Sequence, residues 1–347
     1  MKCRYYSTII LLIQTFQANS STEKVYGNKL LSNCLNINIS KVKYPKDALI
    51  HYETLLNVTK RFRNLTLRGI ENQFILRYVN QPLSFFNGFI PIFIQFEQIE
   101  HNDWTNEFPG FPKLRDVKWA LKKLLRPTVV YLVFSENIHG VHFFQNTFPN
   151  ILTLSCGGYG HVPVPLLGYE RPYVPISTNL PLPFDIGFSG SFKTSKSRRE
   201  MVEKLRKILP QYNMTYSLSN SGFHGSKYID LIANTTFNLA PRGIGRTSIR
   251  LSEIIQIGRI PIYVHQDDPW IPYNGSDIDY HAIGYMTTFD ELEILIKRLS
   301  KISLMEIQEK LERVKIARVY YTYEGLFEEI DEFIRDPMGP TGEILYT

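Results

Sequence analysis

Cysteine is scarce in this chain: Cys3, Cys34 and Cys156 are the three among 347 residues. Three cannot build a disulfide framework, and none belongs to a CxxC pair that would close around zinc. At most Cys34 and Cys156 pair; buried thiols are the competing reading. Long apolar runs are missing too. Thr8–Ile13 is interrupted by Gln14 and Gln17, short of the roughly 20 apolar residues that cross a bilayer. With Lys2 and Arg4 ahead of it, residues 1–20 read as a short signal peptide or N-terminal anchor, or as a plain strand. No other stretch is long enough to span a membrane. Repeat periods and low-complexity tracts are absent as well, which excludes a solenoid or a filament.

What is present is a globular composition, 44% hydrophobic and 21% charged, which excludes a disordered chain. At this length a single core has stopped growing, so two domains of about 150–180 residues are expected. The balance of 39 basic against 33 acidic residues, net +6, favours an anionic partner: nucleic acid, membrane, acidic polysaccharide or nucleotide. Seven N-x-S/T sequons, at Asn19, Asn38, Asn57, Asn64, Asn213, Asn234 and Asn274, exceed the roughly two or three expected by chance. That excess points to the secretory pathway, the Golgi or ER lumen; an Asn-rich genome and a cytoplasmic protein are the alternative.

Along the chain, residues 20–85 read as irregular apart from a weak helix at Asp47–Arg63. From Gly88 the pattern sharpens into a strand (GFIPIFIQFEQI), a helix over Pro112–Leu125, and strands at Thr128–Phe134 and Ile151–Ser155. The Pro- and Gly-dense stretch from Cys156 to Gly187 reads as turn and linker. Beyond it strands are expected at Ile186–Ser191, Met214–Leu218, Thr236–Ala240 and Ile260–His265. Helices are expected at Ser195–Leu209, Lys227–Ala233, Ser248–Ile257, Phe289–Leu299 and Leu304–Tyr321, with Phe327–Ile334 closing the chain. Alternation of this kind predicts an α/β protein with parallel sheets. The expected layout is an N-terminal Rossmann-like, acceptor-side domain over 21–160, a hinge at 161–187, a C-terminal Rossmann-like domain over 188–335, and a tail at 336–347. A ligand cleft would lie between the two halves.

The densest chemical signal is Ala240–Asp268, APRGIGRTSIRLSEIIQIGRIPIYVHQDD. A strand ends at Ala240, a turn follows, and a helix starts around Thr247. Gly243 and Gly245 open the backbone there, and Thr247 and Ser248 sit at a helix N-terminus, where a phosphate is stabilised. Arg246, Arg250 and Glu253 are spaced i, i+4, i+7 on one face, about 120° from the apolar Leu251, Ile254 and Ile255. Arginine forks neutralise a diphosphate, and a carboxylate one turn on accepts ribose hydroxyls. These residue types suit a nucleotide-sugar diphosphate; an ordinary solvated Arg/Glu face is the competing reading.

The run PRGIGRTSIRLSEIIQIGRIPIYV, followed by DDPWIPY and IDY, closely resembles the C-terminal motif of exostosin-type glycosyltransferases. FIPIFIQ, LSCGGYGHVPVPLL, and FSGSF ahead of SRREMVEKLRKIL also match, in the family's order, from Gly88 to Phe333. The resemblance implies a GT-B fold, with the C-terminal domain binding a UDP-sugar, inverting transfer to a glycan hydroxyl, and no essential metal or other cofactor. It implies that Arg242, Arg246, Ser248 and Arg250 hold the diphosphate and Glu253 the ribose or sugar.

Other residues carry less. Asp277-Ile-Asp279 spells a metal-chelating D-x-D, but it follows a Pro/Gly turn and coincides with the IDY segment, so it reads as structural. Asp267 and Asp268, just past a strand end, either touch the sugar or cap a turn. An acceptor base belongs in the N-terminal half. Glu136 and His139 rank first there, with His142 and His161 behind them. Relatives often carry a His-Asp-Asp-Gly-like run where this chain has SENIHG, which leaves open an inactive, glycan- or nucleotide-binding relative. The basic helix after Ser191 alternates with Glu200 and Glu203 and lacks interleaved aromatics. It reads as a solvated face, or as Lys193 and Arg198 docking on phosphate, and not as a nucleic-acid site.

Overall fold

The computed structural model describes residues 44–64, 69–105, 107, 110–137, 148, 150–176, 180–192, 196–220, 225–266, 268–274 and 276–335. Expectations for residues 1–20, the tail 336–347, Cys3, Cys34, Asn19, Asn38, His139, His142, Lys193 and Asp267 lie outside them. Two compact units divide the chain. One ends at Val164 and resumes at Phe327; the other is Pro165–Leu326.

In the first unit, α1 (Ala48–Thr59) and α2 (Ile70–Tyr78) precede β1 (Ile90–Pro91), α3 (Phe96–Thr105), α4 (Leu114–Leu124), β2 (Tyr131–Ser135), β3 (Ile151–Ser155) and β4 (Val162–Pro163). Its sheet is parallel, in the order β1-β2-β3-β4, with Tyr131 opposite Ile151 and Ser135 opposite Ser155. Every residue of β2 and β3 is buried, as continuous apolar runs require when both faces of a parallel sheet are covered. Phe74 of α2 stacks on Phe134 of β2 with centroids 4.8 Å apart. The strand expected from Gly88 pairs only over Ile90–Pro91. It is an edge strand bonded to β2 through Ile90 and Ile92 N–H, so Pro91, which has no N–H, costs the ladder nothing. Phe96 onward is helical. Nor are residues 44–85 irregular, since α1 and α2 bury Tyr52, Leu55, Phe74 and Ile75.

The second unit runs β5 (Phe184–Ser189), α5 (Lys196–Ile208), β6 (Tyr216–Ser219), α6 (Ser226–Ala233), β7 (Thr235–Pro241), α7 (Ile249–Ile257), β8 (Ile260–His265), α8 (Tyr280–Ile283), β9 (Tyr285–Thr288), α9 (Leu292–Leu299) and α10 (Leu304–Ala317). All pairings are parallel, in the order β6-β5-β7-β8-β9. Counted along the chain that is 2-1-3-4-5, a doubly wound order whose reversal falls between β5 and β7. Ile186, Phe188, Val202, Leu205, Phe237, Leu239, Ile260, Ile262, Leu292 and Ile296 share one core. Leu239 is fully buried in the central strand, so Leu239→Ala should cost about 2–5 kcal/mol, read as a lowered urea midpoint with unchanged slope.

Two boundaries differ from the sequence expectation. From Pro165 the Pro/Gly-rich stretch belongs to the second unit and lies along α7 as a strap. Ser252 Oγ donates to Leu166 O at 2.8 Å, Arg171 N–H to Gln256 Oε1 at 2.8 Å, and Val174 N–H to Ile257 O at 3.1 Å. Three of its backbone groups are thus satisfied by the helix. The last helix, α11 (Tyr323–Arg335), belongs to the first unit from Phe327 onward. There Arg77 pairs with Asp331 at 2.9 Å, and Tyr78 Oη donates to the same carboxylate at 2.6 Å.

Candidate functional site

In the second unit the crevice between β5 and β7 lies where ligands bind doubly wound sheets, beyond the strands' carboxyl ends. Arg198, on α5, spans it. Its Nε donates to Arg242 O at 3.0 Å and its guanidinium to Pro241 O at 3.3 Å and Ser191 O at 3.5 Å. Burial, and then the charge of Arg250, push its pKa down to about 10. Arg250 reaches the same place from the first turn of α7. A side chain at Gly190 would put its Cβ 2.9 Å from the Arg250 guanidinium and 3.2 Å from the Phe188 ring, so the arginine would have to shift.

Between them the turn closes through Gly243 N–H on Thr247 O at 3.0 Å. Tyr263 Oη caps the buried Arg246 at its carbonyl, 2.5 Å away. Ser248 is the N-cap of α7, and its side chain makes no capping bond. Arg246 therefore stands before the helix, and the shared helical face covers only Arg250 and Glu253. Leu251, Ile254 and Ile255 are buried as expected. Gly258, with φ +89° in the left-handed region, ends the helix.

Glu253 does not look out freely. Its Oε1 accepts from Arg171 Nε at 2.9 Å and from the guanidinium terminus at 2.6 Å, and its Oε2 accepts from Tyr228 Oη at 2.7 Å. Neither partner was legible: Arg171 lay in the apparent linker, and Tyr228 lies 25 positions before Glu253, with no shared spacing. Arg259, in the same stretch, donates to Ala233 O, Val174 O and Gly258 O at 2.7–3.0 Å and is a structural residue. Downstream, Asp279 caps α8 by accepting from His281 and Ala282 N–H at 2.8 Å. Tyr280 is buried between Tyr263 and Tyr321. Asp268 is exposed.

In the first unit Glu136 directly follows β2. Its Oε2 accepts from Ile70 N–H at 3.0 Å, at the start of α2. Gly69, at φ +129°, lies so close that a Cβ would stand 2.8 Å from the same oxygen. The buried carboxylate of Glu71 accepts from Glu136 N–H at 2.8 Å and Glu97 N–H at 3.1 Å. Asn137 donates its amide to Glu97 at 3.2 Å and also to Glu100. Burial, followed by the charge of Glu97, pushes Glu136 up to about 7, against the pull of the Glu71 and Ile70 N–H groups. Burial and Glu136 hold Glu71 well above the usual carboxylate range. Cys156 is buried, its thiol raised by burial and by these carboxyls. His161 is buried, lowered to about 4 by burial, and its Nδ1 accepts from Thr153 N–H at 2.9 Å.

Among the described residues no group of three or more His, Cys, Asp or Glu is placed to hold a metal ion. No described helix is long and apolar enough to cross a membrane. Of the sequons, Asn57, Asn213 and Asn234 are exposed, and Asn64 and Asn274 half-buried.

No protein-family model matches the chain, and no curated protein matches it by sequence. Among solved structures it is similar to the crystal structure of TarM, at 12% identity and TM-score 0.36, over 66% of this chain and 48% of that one. It is also similar to the crystal structure of a GtfA/B complex, at 13% identity and TM-score 0.35, over 59% of this chain and 46% of that one. The chain thus spans about half the length of either. At that level of superposition the chemistry has to come from this chain's own residues.

Proposed function

We propose that the chain is a glycosyltransferase of the exostosin type, with a GT-B architecture, moving a sugar from a UDP-sugar to a glycan hydroxyl in the secretory lumen. Transfer is inverting and needs no bound metal. One observation carries this reading: Arg250 reaches the β5/β7 switch point beside the Arg242–Ser248 turn, its charge facing that of Arg198, which the carbonyls of Ser191, Pro241 and Arg242 hold in place there. Cations held together in a half-buried crevice are unfavourable alone and favourable around a phosphate chain. The main-chain amides at the start of α7 add to the same field. Glu253, both oxygens held by Arg171 and Tyr228, stays outside the ligand contacts, and Glu136 takes the proton of the acceptor hydroxyl.

The test is titration calorimetry with UDP. Arg246→Ala and Arg250→Ala should each lose a charged hydrogen bond, about 1.5–3 kcal/mol, or roughly tenfold to 150-fold in affinity. Unchanged affinity in both variants, with circular dichroism intact, would remove the phosphate assignment.

A further inference from the structure

The arginine that keeps the anion site cationic is one that does not face the anion. Arg250 and Glu253 are i and i+3 on α7, the spacing at which opposite charges on a helix normally pair. Yet no ion pair joins them. Arg250 lies over the rings of Phe188 and Tyr228, 4.8 and 5.1 Å from their centroids. Its Nε is buried without a hydrogen-bond partner. Glu253 is turned the other way, both oxygens taken by Arg171 and Tyr228. Arg171 in turn lies 5.6 Å from the Tyr228 centroid and 5.9 Å from that of Tyr169. Cations and rings therefore alternate as Phe188, Arg250, Tyr228, Arg171 and Tyr169, with the Glu253 carboxylate pinned at the Arg171 end.

We propose that Arg171 is a positioning residue that sequesters Glu253, so that Arg250 keeps its charge for an anionic ligand of the diphosphate class. The mechanism is electrostatic competition. Glu253 is buried, and a buried carboxylate needs a cationic partner. With Arg171 gone, the nearest cation on the same helix face is Arg250. Pairing there neutralises the fork that would hold phosphate. The backbone also fixes Arg171: its N–H donates to Gln256 Oε1 at 2.8 Å, whose amide is anchored on Tyr321 O at 2.6 Å. The inference rests on the phosphate reading above and adds to it the residue that sets the charge of the site.

The experiment is calorimetric titration with inorganic diphosphate on folded protein checked by thermal melting. Arg171→Ala should weaken binding about tenfold or more. Arg171→Lys should retain a large part of the affinity, since it keeps the charge. Glu253→Gln alone should bind within about threefold of wild type, and Arg171→Ala with Glu253→Gln should recover to that level, a non-additivity that marks coupled sites. A merely structural arginine would not be rescued by deleting the carboxylate. Full binding in Arg171→Ala, or a double variant as weak as the single one, overturns the proposal. Absence of diphosphate binding in the wild type overturns the phosphate reading itself, so the two failures are distinguishable.

Discussion

Replacing Glu136 by Gln should leave UDP affinity in place and lower turnover about 10²–10⁴-fold, the range of a positioned general base. The substitution keeps size and still allows an oxygen to accept from Ile70 N–H. It removes the ability to take a proton. A base with a pKa of about 7 is matched to neutral chemistry, because an appreciable fraction is ionised while its proton affinity stays high. The sign follows directly. The ionised form is the active one, so the rate should rise with pH and level off above about 7. The charge of Glu97 helps to raise Glu136, so Glu97→Gln should move that acid limb to lower pH. Turnover unaffected by Glu136→Gln would place the base elsewhere. UDP binding without any transfer or donor hydrolysis in the wild type would favour the inactive relative left open by SENIHG.

The parallel α/β class was legible because β2, β3 and β8 are short, mainly apolar runs bounded by turns, and burial on both faces writes that pattern directly. The helix carrying Arg250 and Glu253 was legible for a related reason, since Gly258 stops it and the turn from Pro241 starts it. What could not be read was anything set by distance in the chain. Glu71 meets Glu136 from 65 positions away, and Arg171 meets Glu253 from 82. Proline and glycine density around Arg171 says only that the backbone is neither helix nor sheet. Whether such a segment is a free hinge or a strap depends on the donors and acceptors it lies against. Ser252 and Gln256 supply them here, and neither looks remarkable in a helix. Arg259 shows the same limit from the other side: three carbonyls consume it, as three hold Arg198, and nothing in the sequence separates either from Arg250.

Glu329→Gln should stabilise the protein at pH 8 by about 2–3 kcal/mol and hardly at all at pH 5. Glu329, on α11, is 4% exposed, and its Oε2 is buried without a hydrogen-bond partner. Burial, then the charges of Glu332 and Glu328, push its pKa up to about 7. A folded-state value above the unfolded one means that folding favours the protonated acid. That contribution is complete below the unfolded pKa, about 4.5, and is lost as pH rises through the folded value near 7. Glu136 acts with the same sign over the same window. His161 acts oppositely: lowered to about 4, it contributes fully above its unfolded value near 6.5 and loses that contribution as pH falls towards 4. The opposing trends offset one another between about pH 4.5 and 6.5, and above that only the carboxyls change. The thermal midpoint should therefore fall as pH is raised from 6.5 to 8, with Glu329→Gln flattening the descent. A neutral amide at 329 escapes the cost of a buried, unpartnered charge, which makes this one of the few substitutions here expected to raise stability. Melting curves of both proteins at pH 5 and 8 decide it. An equal effect at the two pH values would mean that packing, not ionisation, sets the cost.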